Sequence, residues 1–103
     1  MKDRTHDEAM AEMLREDPAY AVQLLNSILE DGDQSELLIV LRQMAKAFGG
    51  VQAVAETAHL SATQLYRTLS PDGNPVLSSL LSILKSMGLR LAVQPLDVSH
   101  VHI

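Results

Sequence analysis

The chain has 103 residues, 47% of them apolar and 3% aromatic, which fits one globular domain and excludes a disordered segment. It has no cysteine, which excludes a disulfide framework and a thiolate metal site. The net charge of −5 is unevenly spread: residues 1–36 hold ten acidic and three basic side chains, residues 37–103 three acidic and five basic. An acidic front joined to a mildly basic back reads either as two surfaces for different partners or as a solvated acidic face.

The first helix is announced by "THDE", in which Thr5 and Glu8 have the spacing of a capping box, and Met10, Met13 and Leu14 follow on one face. Asp17 and Pro18 suit an N-cap and first helical position, opening a second helix with Val22, Leu25, Ile28 and Leu29 as its stripe. Gly32 is expected to end it in the left-handed conformation. Asp33 and Glu36 form a second cap-and-return pair before a helix carrying Leu37, Val40, Leu41, Met44 and Phe48, widened by Leu38 and Ile39. So broad an apolar arc implies cover on two sides, by the N-terminal helices on one and the later helices on the other. The longest aliphatic run, 37–41, is too short to cross a bilayer. The N-terminus lacks the apolar segment of a signal peptide. The expectation is a soluble cytoplasmic protein with no membrane partner.

Gly49 and Gly50 turn the chain into two short helices, 51–58 and 62–69, separated by "AHLS". This is the spacing of a helix-turn-helix: Ala55 is the small residue at the crossing, Leu60, Leu65 and Leu69 anchor the second helix, and His59 takes the turn position. "SPDGNP" (70–75) is a loop, after which Asn74 and Pro75 are placed to cap and begin a helix striped with Leu77, Leu80, Leu81, Leu84 and Met87. Residues 89–95, "LRLAVQP", alternate like a strand until Pro95 ends the pattern. A lone strand leaves backbone groups unpaired, and pairing with the same strand of a second copy resolves that; fraying into solvent is the alternative.

The segment 49–93 resembles the addiction-module antidote family, also called HigA-type antitoxins. The features that carry the resemblance are "LYRTLSPDGNP", the leucine-rich helix after it, and the closing "GLRLAV", with "ILEDGDQSELLIVLRQMAKAFGG" as the approach. The resemblance implies a mainly α fold: a lambda-repressor-like helix-turn-helix bundle, here with two extra N-terminal helices and one short C-terminal β-strand. In that reading 1–103 is a single domain, with an acidic helical extension at 1–32, the bundle at 33–88, a dimerisation strand at 89–95 and a tail at 96–103. It further implies a DNA-binding regulator that represses its own promoter and neutralises a RelE-like, RNA-cleaving toxin.

With Leu65 and Leu69 buried, Ala62, Thr63, Tyr66 and Arg67 should lie on the open side of the second helix as base-contacting residues. Arg67 suits a guanine edge, and Ala62 or Thr63 a thymine methyl. Gln52, Ser61, Gln64, Asn74 and Ser78 are the candidate phosphate contacts. Gln52 enters because Val51 stands where many lambda-repressor-like domains place a phosphate-binding glutamine. Leu89, Arg90, Leu91, Ala92 and Val93 are the expected dimer strand. Two protomers would then read a palindromic operator in double-stranded DNA. The acidic front would dock a basic toxin, so removal of 1–32 should leave operator contacts largely intact. The competing readings are a helical protein-interaction module that acts through the acidic face and the strand-mediated dimer, with Tyr66 packed on the surface and Arg67 merely solvated, and an orphan regulator with no toxin.

Nothing in the sequence reads as enzymatic, and no cofactor is implied. His6, His59, His100 and His102 are scattered without carboxylates at ligand or triad spacing, so no metal site is expected. Ser78, Ser79, Ser82 and Ser86 read as the wet side of a helix.

Overall fold

Side chains at helix starts organise the chain locally. The computed structural model describes residues 5–96, which form α1 (His6–Glu16), α2 (Pro18–Asp31), α3 (Gln34–Ala47), α4 (Val51–Thr57), α5 (Ala62–Thr68) and α6 (Leu77–Ser86). Thr5 Oγ1 accepts from the Glu8 amide at 3.1 Å, and Glu8 Oε1 accepts from the Thr5 amide at 2.9 Å, closing the first capping box. Asp33 and Glu36 repeat this at 2.9 and 3.0 Å. Asp17 caps α2 through the Tyr20 amide, with Pro18 as its first residue. Each cap satisfies amides that the helix itself leaves without partners.

The core is assembled around α3, which packs against α1, α2 and α4. Leu38, Leu41, Met44 and Ala45 have no exposed surface. α4 packs in turn on α5 and α6, which contribute Leu65, Ile83 and Leu84, while Leu69 follows α5 into the same core. Ala11 and Leu14 from α1, with Ala21 and Leu25 from α2, belong to that one cluster. The acidic front is therefore half of the cover on α3, and its removal would strip the core instead of leaving an intact binding module.

Several expectations need correction. Gly32 is not left-handed: its φ is −84° and ψ 173°. Its lack of a side chain matters for another reason, since a Cβ would stand 2.8 Å from Ile28 Cγ2 and 2.9 Å from the Ile28 carbonyl oxygen. α6 starts at Leu77 with Val76 as an N-cap that offers no side chain, and Asn74 does not cap it. Asn74 belongs to a loop pinned to the start of α3, where Gln34 Nε2 donates to the Gly73 carbonyl at 2.9 Å and Ser35 Oγ to the Pro71 carbonyl at 3.0 Å. Glycine is required at 73 because a Cβ would clash with the Thr68 carbonyl oxygen.

The predicted strand at 89–95 does not form, and no strand occurs among the described residues. Leu89 alone packs on the core, its amide donating to the Leu84 carbonyl at 2.9 Å beyond Gly88, while Arg90, Leu91, Ala92 and Val93 are exposed. Among the described residues the alternation has no second strand to accept its hydrogen bonds. The apolar stripes are also shifted: Met13, Val22, Leu29, Leu77 and Leu81 are exposed, whereas Ala11, Ala21 and Ile83 are buried. Most of the tail at 96–103, with His100 and His102, lies outside the described residues.

Leu14→Ala removes a fully buried side chain from the α1–α3 contact and should cost about 2–5 kcal/mol. Urea titration followed by circular dichroism measures this, and a chain lacking residues 1–32 should show no cooperative transition at all.

Candidate nucleic-acid interface

The α4–α5 pair is built on small and branched apolar residues. Val54 and Ala55 are buried where the two helices meet, and the Ala55 carbonyl accepts from the Leu60 amide at 2.8 Å across the turn. Between them His59 adopts a φ of 62°, as the turn position predicted. This left-handed backbone costs a non-glycine residue roughly 1 kcal/mol, and histidine tolerates it better than most. Leu65 and Leu69 are fully buried, which fixes the rotation of α5.

That rotation leaves Thr63, Tyr66 and Arg67 exposed together, with Ala62 half-buried beside them. Gln52, Ser61, Gln64, Asn74 and Ser78 all lie on the surface, but they are not equivalent. Ser61 and Gln64 form a third capping box: Ser61 Oγ accepts from the Gln64 amide at 3.0 Å, and Gln64 Oε1 from the Ser61 amide at 2.8 Å. The capping box leaves the carboxamide nitrogen of Gln64 as that side chain's donor. Asn74 Oδ1 is 3.4 Å from Gln34 Nε2, so the side chain is turned toward α3. The S-x-x-Q spacing could have disclosed the reciprocal role of Gln64 from sequence.

Two groups that sequence reasoning missed meet at the carboxyl end of α3. Lys46 Nζ stands 5.9 Å from the centroid of the Tyr66 ring. Arg15 reaches across from α1, its Nε donating to the Ala47 carbonyl and its Nη2 to the Lys46 carbonyl, both at 3.2 Å. Those carbonyls are among the acceptors that a helix end leaves open, and a cation there also suits the helix dipole. No local pattern links positions 46 and 66, or 15 and 47, so no sequence signal pointed to either contact.

A second clasp joins α1 to the middle of α3. Arg42 Nε donates to Asp7 Oδ2 at 2.7 Å, and the buried Gln43 donates from Nε2 to Asp7 Oδ1 at 3.1 Å. Burial raises the Asp7 carboxyl, but the hydrogen bonds from Arg42 and Gln43, with the charges of Arg42 and Lys46, outweigh it and hold the group below its ordinary value. Among the described residues, no three acidic or histidine side chains are grouped to hold a metal ion, and no single helix is long and apolar enough to cross a membrane.

An open groove of about 710 Å³ runs between α2, α6 and the C-terminal segment, lined by Val22, Leu29, Leu37 and Leu80 together with the polar Asn26, Glu30, Arg90 and Gln94. Four of the five expected dimer-strand residues, Leu89, Arg90, Leu91 and Ala92, border this groove. The fifth, Val93, is almost wholly exposed.

α4 and α5 thus form a helix-turn pair with a buried apolar side and a polar outer side. The family model described as "Probable addiction module antidote protein" matches residues 4–95. Over 70 residues the chain is 31% identical to an uncharacterized protein of Haemophilus influenzae, an alignment covering 68% of this chain and 71% of that one. No solved structure matches significantly. The chain belongs to this addiction module antidote family.

Two outcomes test the geometry. Because Asp7 ionises more readily folded than unfolded, its contribution is complete above the unfolded value near 3.8 and is lost as pH falls through the folded one. Asp7→Asn should therefore cost about 1–3 kcal/mol at neutral pH, and urea midpoints of the two proteins should converge in acid. His59→Gly relieves the left-handed backbone and should raise stability by about 1 kcal/mol, read from the same titration at neutral pH.

Proposed function

We propose that this chain is a HigA-type antidote: a DNA-binding regulator with a lambda-repressor-like helix-turn-helix formed by α4 and α5, which represses its own promoter and neutralises a toxin in the cytoplasm. The observation that carries the DNA reading is the orientation of α5. Its apolar side is locked down by Leu65, its polar side offers Thr63, Tyr66 and Arg67 to base edges, and the turn before it rests on Ala55. Membership of the antidote family supports a toxin partner in general.

The homodimer belongs to the same proposal. Val76, Leu77 and Leu81 around α6, with Leu91 and Val93 beyond it, leave an apolar surface that a second copy would cover. Two copies would present two α5 helices to a palindromic site. The basic, RelE-like toxin would meet the outer side of α1 and α2, where Glu16, Glu30 and Asp31 are exposed.

Fluorescence anisotropy against the chain's own upstream DNA, with a scrambled duplex as control, tests the central reading. Arg67→Ala should weaken the specific complex by about 1–3 kcal/mol and leave scrambled binding less affected. Equal, weak binding of both duplexes by the wild type would favour a helical interaction module. Co-purification with the product of a neighbouring small basic gene tests the toxin, and its absence would favour an orphan regulator.

A further inference from the structure

The base-reading side of α5 carries a single cation, Arg67. Gln52, Ser61, Gln64, Asn74 and Ser78, the phosphate seats suggested by sequence, are all neutral. Neutral donors can orient a duplex, but they displace no counterions from it, and that displacement supplies much of the affinity. A protein that binds DNA through this face therefore needs a cation from another element.

The described cations differ sharply in what engages them. Arg42 is paired with Asp7 at 2.7 Å. Arg15 gives hydrogen bonds to the Lys46 and Ala47 carbonyls, so its guanidinium is fixed at the end of α3. Lys85 is in the last turn of α6, and Arg90 borders the groove between α2 and α6. Lys46 is the cation that α3 brings to the reading helix, with its ammonium over the ring of the exposed Tyr66.

A separation of 5.9 Å is near the outer limit of a cation–π contact. The ring biases the lysine toward α5 and uses none of its three N–H donors. Arg15 holds the last turn of α3 from which Lys46 springs, which makes it a positioning residue. On its other side Lys46 shares a hollow of about 260 Å³ with Glu8 and Glu12. The field of Asp7 reaches it as well. The lysine thus stands between the carboxylates of α1 and the ring of α5.

We infer that Lys46 is the phosphate-binding cation of the reading surface: steadied by Tyr66 and set in place by Arg15, its ammonium takes a backbone phosphate of duplex DNA beside the groove that α5 enters. The inference rests on the DNA-binding reading above. Lys46 contributes affinity without sequence preference, while Arg67 contributes preference.

The test is anisotropy of the full chain on the upstream and scrambled duplexes across a salt series. Wild type, Lys46→Met, Lys46→Arg, Lys46→Gln and Arg67→Ala are compared, with urea midpoints establishing that each is folded. Lys46→Met keeps most of the apolar stem and removes the charge. It should make the slope of log K against log salt shallower by about 0.9 per protomer on both duplexes, with their affinity ratio unchanged. Lys46→Gln should do the same, and Lys46→Arg should keep the wild-type slope. A slope that does not move in either neutral variant, while the wild type binds and discriminates, overturns this inference alone. A wild type that binds neither duplex overturns it together with the DNA-binding reading.

Discussion

A helix buried on several sides cannot stand by itself in water, and α3 is such a helix. Leu38, Leu41, Met44 and Ala45 show no surface, and even the polar Gln43 is enclosed. Burying that much apolar area is favourable only when both flanks are present together. Everything else follows from that need for cover: α1 and α2 lie on one side, α4 approaches from another, and α5 and α6 close the assembly through α4. The polar clasps are placed where they make the cover specific. Asp7 meets Arg42 and Gln43 at a ring of directed hydrogen bonds, so α1 is held in one register on α3. A register fixed in this way is also what brings Arg15 to the last carbonyls of the same helix.

Charge has a corresponding division of labour. The acid of the first third includes four capping side chains or partners (Glu8, Asp17, Asp33, Glu36) and one partly buried clasp (Asp7) before any of it is left for a partner. The positive side is similarly committed, with Arg42 and Arg15 serving the fold. Net charge is thus a poor guide to what the surface offers. What a face offers depends on which few ionic groups are released from structural duty, and on where the helices carry them.

What could be read from the sequence was what is local. Helix starts at Thr5, Asp17 and Asp33 were legible because a cap and its target lie within three residues. The turn at His59 was legible because Ala55, Leu60 and Leu65 constrain it within a few positions. Periodicity identified apolar stripes, but their exact arcs depend on neighbours: Ile83 turned inward in place of Leu77 and Leu81, and Ala11 in place of Met13. The strand expectation at 89–95 failed for a related reason. Alternation is a property of one segment, whereas a strand is a property of a pair. Of the candidate interface, α5 and its outer face were readable, but Lys46 and Arg15 were not, since each acts on a residue roughly twenty or thirty positions away.

The two ends of α3 are tied to opposite parts of the chain: Gln34 and Ser35 to the loop at 71–74, and the last carbonyls to Arg15 near the front. Neither flank can open without exposing apolar surface on the helix that the other flank also needs. In hydrogen-exchange terms, the amides of α1 and of α5 should therefore share one global opening rather than two local ones. Anything that binds only the folded chain, on either face, therefore slows exchange at both, by the same linkage that ties ligand binding to stability. A molecule of this size can then carry two partner surfaces and still respond to each as a single cooperative unit.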